Sequence, residues 1–217
     1  MIITKPRLKD PVSGLLHAFG AALSVAALVL LLLKASAGGG SIWRYVGFSV
    51  FGAGLILLYS ASATYHLLNL SERAMLVFRK IDHCMIFVLI AATYTPICLI
   101  PLRGPWGWSL LGAVWGFAAL GIVLKAVFFS APRWLYTACY VALGWSCLVC
   151  IVPILRTIPW QGLLWLLAGG IAYSLGAVVY AVKWPGREAK WFGFHEIFHV
   201  FILLGSLCHF LMMLWYI

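Results

Sequence analysis

"PVSGLLHAFGAALSVAALVLLLL", residues 11–33, carries no Asp, Glu, Lys or Arg over 23 positions. As a helix such a run is about 35 Å long, enough to cross the roughly 30 Å of hydrocarbon in a bilayer. Lys5, Arg7 and Lys9 precede it and "ASA" at 35–37 follows, which is the outline of a secretory signal cut after Ala37. The apolar stretch is longer than a signal's core, and Lys34 stands immediately before the supposed cut, so the run reads as a membrane span.

Six further uncharged runs follow at 45–69, 83–102, 106–124, 134–155, 157–182 and 197–217. With 65% hydrophobic and 9% charged residues, the chain has too little polar surface to cover a globule in water. Only helices or closed barrels satisfy backbone groups in lipid, and these continuous runs lack the alternation of barrel strands. The expected fold is an all-α integral membrane protein. Its seven transmembrane helices form one bundle, a single domain spanning residues 1–217, because the connections are short.

The balance of 15 Lys+Arg against 5 Asp+Glu does not indicate a nucleic-acid partner, because the cations are sorted by loop. Lys5, Arg7, Lys9, Arg73, Arg79, Lys80, Lys125, Arg133, Lys183, Arg187 and Lys190 fall on one side, and Lys34, Arg44, Arg103 and Arg156 on the other. Positive charge marks the cytoplasmic side, so the N-terminus is expected inside and the C-terminus outside.

Ionisable residues within membrane runs are costly and mark functional sites. "SATYHLL" ends the second run with Ser62 and His66 on one helical face, four residues apart. "RKIDHC" opens the third with Asp82 and His83, and "FHEIFHV" opens the seventh with His195 and His199 one turn apart. All three lie at the cytoplasmic ends of their helices. Three neutral imidazoles open to water make a zinc centre, a neighbouring carboxylate can take the proton of a zinc-bound water, and a hydroxyl can orient a ligand. His17 can reach the same level or simply pack there. His209 lies roughly 15 Å beyond His199 along the axis and cannot share the metal. His83 points about 100° away from Asp82 on a helix, and the carboxylate is the one expected to face the site.

His195, Glu196 and His199 spell H-E-x-x-H, the zinc-protease pattern. An intramembrane metalloprotease also needs a carboxylate ligand on another helix, and no N-P-D-G-like segment supplies one. Glu196 is therefore expected to point toward the headgroups.

"SATYHLLNLSERAMLVFRKIDHCMIFVLIAATYTP" (62–96) and "HEIFHVFILLGSLCHF" (195–210) resemble the bacterial hemolysin III branch of the progestin and adipoQ receptor family, relatives of the alkaline ceramidases. The resemblance implies a zinc held by His66, His195 and His199, with Asp82 near the metal-bound water and Ser62 beside it. It also implies membrane lipid as the partner and the bacterial plasma membrane as the location. Where the family's first motif has Glu, Asn and His, this chain has Asp10, Ser13 and His17, so no role is assigned to the first two. Three functions are compatible with the resemblance: a zinc-dependent lipid-amide hydrolase, a cytolytic pore, and a non-catalytic sensor. A pore needs polar residues through the full depth of the bilayer, and here they gather in one half.

The charge distribution yields a direct test. Reporter fusions should place the N-terminus in the cytoplasm and a fusion after Ile217 outside; a cytoplasmic signal from the latter would refute the orientation.

Overall fold

The computed structural model describes residues 8–186 and 192–217, so Lys5, Arg7, Arg187 and Lys190 of the charge pattern lie outside the described residues. Every regular element described is helical: α1 (Pro11–Ala37), α2 (Ile42–Leu67), α3 (Glu72–Leu99), α4 (Pro105–Val127), α5 (Arg133–Gly144), α6 (Ile151–Thr157), α7 (Trp160–Val182) and α8 (Phe194–Tyr216). A 3-10 segment, Trp145–Cys150, joins α5 to α6, so that the three form one rod over 133–157. Six of the rods are long and apolar enough to cross a membrane. The other is α3, at 28 residues the longest helix.

The third run was expected to begin at residue 83, with Arg73, Arg79 and Lys80 in the preceding connection; instead α3 starts at Glu72 and takes all three into the helix. Apolar runs mark the part of a helix that lipid can cover, whereas backbone bonding continues wherever nothing interrupts it. Glu72 in the first turn also favours initiation there by facing the positive end of the helix dipole.

The break in the 133–157 rod has a local cause. Pro153 lacks an amide proton and its ring crowds the carbonyl four residues back, that of Val149 in the 3-10 segment, which disfavours a regular helix there. In lipid the released backbone groups need partners. At the start of the 3-10 segment Tyr94 partners two backbone groups, its hydroxyl donating to Gly144 O at 2.5 Å and accepting from Cys147 N at 2.9 Å.

The helices close into a ring. Helix α1 packs on α2, α2 on α3, α3 on α5, α5 on α7, α7 on α8, and α8 returns to α1, while α4 lies outside against α3. Leu15, Phe19, Leu23, Leu30 and Leu33 leave the outer face of α1 apolar and exposed, as lipid contact requires. The α1–α8 seam is tied at both ends. Ser13 Oγ donates to Glu196 Oε1 at 2.6 Å, and at the other end Lys34 Nζ donates to the carbonyls of Met213 (3.0 Å) and Leu214 (2.6 Å). The second of these contacts satisfies carbonyls that the end of α8 leaves open.

Helices α2 and α3 approach through small residues, as helices in membranes do. A methyl group built on Gly54 would stand 2.5 Å from Ala92 Cβ, so the two backbones meet only because position 54 has no side chain. Gly54→Ala should lower thermal stability in detergent by about 1–3 kcal/mol, and Ala92→Gly in the same chain should restore most of the loss. An unchanged melting temperature for Gly54→Ala would mean that the two helices are not held this close.

Candidate metal and ligand site

The end of the bundle where α2 finishes and α3 and α8 begin gathers the chain's polar side chains. One ligand nitrogen each from His66, His195 and His199 lies within 4.8 Å of the other two. His66 Nε2 and His195 Nε2 are 3.3 Å apart. Two imidazole nitrogens on one tetrahedral ion, each at the usual metal distance, stand roughly 3.3 Å from one another.

The protonation pattern agrees with that use. His66 Nδ1 lies 3.1 Å from Asp10 Oδ2, and Asp10 is also 3.3 Å from Lys9 Nζ. The His66 contact, helped by Lys9, holds the Asp10 carboxyl below the usual carboxylate range against the opposing effect of burial. A charged carboxylate only accepts, so the proton of a neutral His66 sits on Nδ1 and its Nε2 presents a lone pair. His199 Nδ1 lies 3.3 Å from the carbonyl of Ser13, which assigns its proton in the same way. A ligating imidazole with its second nitrogen on a carboxylate or a carbonyl is the usual arrangement at protein metal sites. The residues fit a metal ion, and all three donors are nitrogen.

Beside this cluster a cavity of 320 Å³ extends into the bundle, within the range of roughly 300–1,000 Å³ typical of ligand pockets. His195 and His199 line it while His66 stands behind them, buried. Asp82 and Ser62 line it too, and the Ser62 hydroxyl is a hydrogen-bond partner of the Asp82 carboxyl. All of the ring helices contribute to the wall, and α4 contributes nothing. Away from the polar end the wall is mainly apolar, with Leu and Ile the commonest residues and Thr93, Tyr94, Ser174 and His209 interspersed.

Four further placements concern the residues weighed from the sequence. His83 lines the cavity together with Asp82, their Nδ1 and Oδ2 atoms 3.6 Å apart, so the expectation that only one of them faces the site is corrected. An arc of α3 wide enough to include both borders the open space. Glu196 does not point to the headgroups. It accepts from Ser13 Oγ and, at 2.8 Å, from Gly193 N, closing the first turn of α8 and fastening it to α1. His17 lies 3% exposed, its ring stacked on that of His199 with centroids 3.8 Å apart and planes 8° from parallel. His209 is buried deeper along α8 and lines the same cavity, outside the group of three.

Asp10 was, with Ser13, one of the two residues that the sequence left without a role. Its contact with His66 joins the residue just before α1 to the last turn of α2, and the backbone repeats the link, Asp10 N donating to His66 O at 2.8 Å. An acidic residue one position before a span was the available signal.

Replacing His66, His195 or His199 with Ala should empty the site, and Asp10→Asn should weaken metal affinity by about 10–100-fold without unfolding the protein. Elemental analysis of purified variants and competition with a graded chelator provide the measurements. Full metal content in the His195→Ala, His199→Ala double variant would end the assignment.

Residues 6–210 match the family described as haemolysin-III related. A protein named Hemolysin-3 from Bacillus cereus is 38% identical over 206 residues, 94% of this chain and 90% of its own length. A Hemolysin-3 homolog from Bacillus subtilis (strain 168) is 37% identical over 204 residues, 94% of this chain and 92% of its own. The heptahelical transmembrane protein ADIPOR2 of Oryza sativa subsp. japonica is 31% identical over 193 residues, 74% of this chain and 77% of its own. With its helical membrane bundle and its histidine cluster at one end, this chain belongs to the haemolysin-III-related family, the bacterial branch of the progestin and adipoQ receptors.

Proposed function

We propose that this protein is a zinc-dependent hydrolase of lipid amides that acts in the bacterial plasma membrane, with the histidine cluster near the cytoplasmic face. The observation that carries the reading is the position of three converging imidazoles, two of them in the wall, and one carboxylate, Asp82, at one end of a cavity whose remaining wall is mainly apolar. A lipid placed there would have its tail among Leu and Ile side chains and its polar junction at the histidines.

Zinc is the ion that best suits three neutral imidazoles; when bound it polarises a carbonyl and lowers the pKa of a water that it holds. The protein's own residues supply the rest. Asp82 is the group placed to accept a proton at the cluster and return it to the leaving amine. Ser62 orients that carboxyl, Asp10 and the Ser13 carbonyl fix the ring orientations of His66 and His199, and the apolar walls keep bulk water from the tail.

We also propose one domain of seven spans, with α3 as the span beyond the six that qualify on apolarity, an internal N-terminus and an external C-terminus. The rice relative is described as heptahelical, the length of α3 suffices to cross, and eleven of fifteen cations fall on the proposed cytoplasmic side. The name of the Bacillus relatives favours a cytolytic pore, but the charged residue of the cavity wall among the described residues is Asp82, at one end, and the rest of the wall is mainly apolar, which suits a lipid better than a water-filled path.

The test is product release from ceramide-like and N-acyl lipids in nanodiscs, with chelated protein as the blank. Asp82→Asn keeps the shape and removes the base, so hydrolysis should fall by about 10²-fold or more while zinc stays bound. Equal inertness of native and chelated protein across the panel would remove the enzyme reading and leave a metal-stabilised sensor.

A further inference from the structure

Where α3 passes the end of α4, three cations surround one ring. Lys125 Nζ lies 4.7 Å, Arg79 Cζ 5.3 Å and Lys80 Nζ 5.7 Å from the centroid of Phe129, which follows α4 by two residues. Among the described residues none of the three pairs with a carboxylate: the ion pairs there join Lys9 and His66 to Asp10, and His83 to Asp82. An aromatic face attracts a cation but does not cancel its charge, so the three still repel one another.

The nearby backbone does not neutralise them either. The carbonyls at the negative end of α4 are the natural counter-charge, but they are already engaged. Tyr136 donates to Leu124 O at 3.1 Å and to Phe128 O at 2.8 Å, and Lys80 takes Ala126 O at 3.0 Å. Lys80 is thereby partly satisfied, whereas Lys125 is not. It is 5% exposed, and within the described residues its ammonium meets only rings, resting 3.7 Å from the centroid of Tyr136. A cation withdrawn from water without a partner is costly. Its nitrogen is not among the polar atoms sealed in the interior, and Arg79 beside it is exposed, so an arriving anion can reach both.

This patch adjoins the cavity without forming its wall. The ring of His83, which does line the cavity, lies 5.9 Å from that of Phe129, and its Nδ1 is 2.8 Å from the Arg79 carbonyl. Around the cations the surface is oily: Val127 is 66% exposed, Phe128 59% and Trp134 66%. A ligand that satisfies charge and oily surface together is an amphiphile, and exposed Trp beside basic residues is typical of headgroup depth.

We propose that the cleft between α3 and the end of α4 holds the headgroup of an anionic phospholipid, with its phosphodiester on Arg79 and Lys125, Lys80 adding positive potential, and its acyl chains along Val127 and Phe128. Basic clefts between helices on the cytoplasmic side are where such headgroups bind. The site is separate from the histidine cluster and stands whether or not that cluster is catalytic.

The test equilibrates delipidated protein in detergent with equal amounts of phosphatidylglycerol and phosphatidylcholine of identical chains, repurifies it and counts the retained lipid by mass spectrometry. Wild type should retain phosphatidylglycerol over phosphatidylcholine by about tenfold, and Arg79→Gln and Lys125→Met should each lower that preference about fivefold, the scale of one basic residue at an anionic membrane surface. Arg73→Gln, which removes an exposed charge from the same end of α3, should change it less than about twofold. An equal loss in Arg73→Gln would mean diffuse attraction to the whole surface and overturns the proposal. So does a wild type without preference, a result that needs no variant to fold. Sodium phosphate should displace the lipid no better than sodium chloride of the same ionic strength. If phosphate displaces it selectively, the cleft takes free phosphate and the lipid assignment falls.

Discussion

The seam between α1 and α8 decides most of what the molecule can do. In a bilayer nothing apolar drives helices together, since lipid tails are as oily as leucine, so polar contacts and close packing must define which helices are neighbours. Ser13–Glu196 at one end and Lys34 on the α8 carbonyls at the other tie the first helix to the last. That closure lays His17 on His199, sets the Ser13 carbonyl against His199 Nδ1, and turns a row of helices into a ring around a cavity. With the seam open, the first and last helices would each keep a polar group facing lipid.

The same economy governs the interior. Buried polar side chains are spoken for within their own helix, as Ser24, Thr93, Thr95 and Thr137 are by carbonyls four residues back, or by a neighbouring one: Tyr94 partners two backbone groups of the 133–157 rod, Tyr140 donates to the His83 carbonyl, and Trp145 donates to Ser174. Against that background His17 and His209 stand apart, with unpaired ring nitrogens sealed within the packing.

Length and apolarity made the helical rods legible in the sequence, and the four-residue spacings of Ser62–His66 and His195–His199 made a shared polar level legible as well. What escaped was rotation and non-local pairing. Whether Glu196 looks outward or at α1 depends on the phase of α8 about its own axis relative to a helix almost the whole chain away, and nothing local encodes it. The α3 start was hidden because hydropathy reports where lipid lies, while the helix continues into water with Arg73 and Arg79 exposed. The 100° rule kept Asp82 and His83 apart on paper, yet the open space beside α3 is broad enough for both. Asp10 was unreadable for a simpler reason: its partner, His66, is 56 residues away, and only the docking of α1 on α2 brings them together.

One further consequence follows from the ligands' places along the chain. His66 and His195 are separated by 129 residues, and His199 is reached only in the last helix. During synthesis the nascent chain carries a single member of the trio through the insertion of every helix from α2 to α7, so no partly inserted intermediate holds the complete cluster. Metal capture of this kind can happen only after the last helix has entered the membrane and docked against the first. An ion held by all three would then be a chemical record of finished biogenesis: a chain that stalls, or that is cut before α8, lacks two of the three histidines with which to retain it.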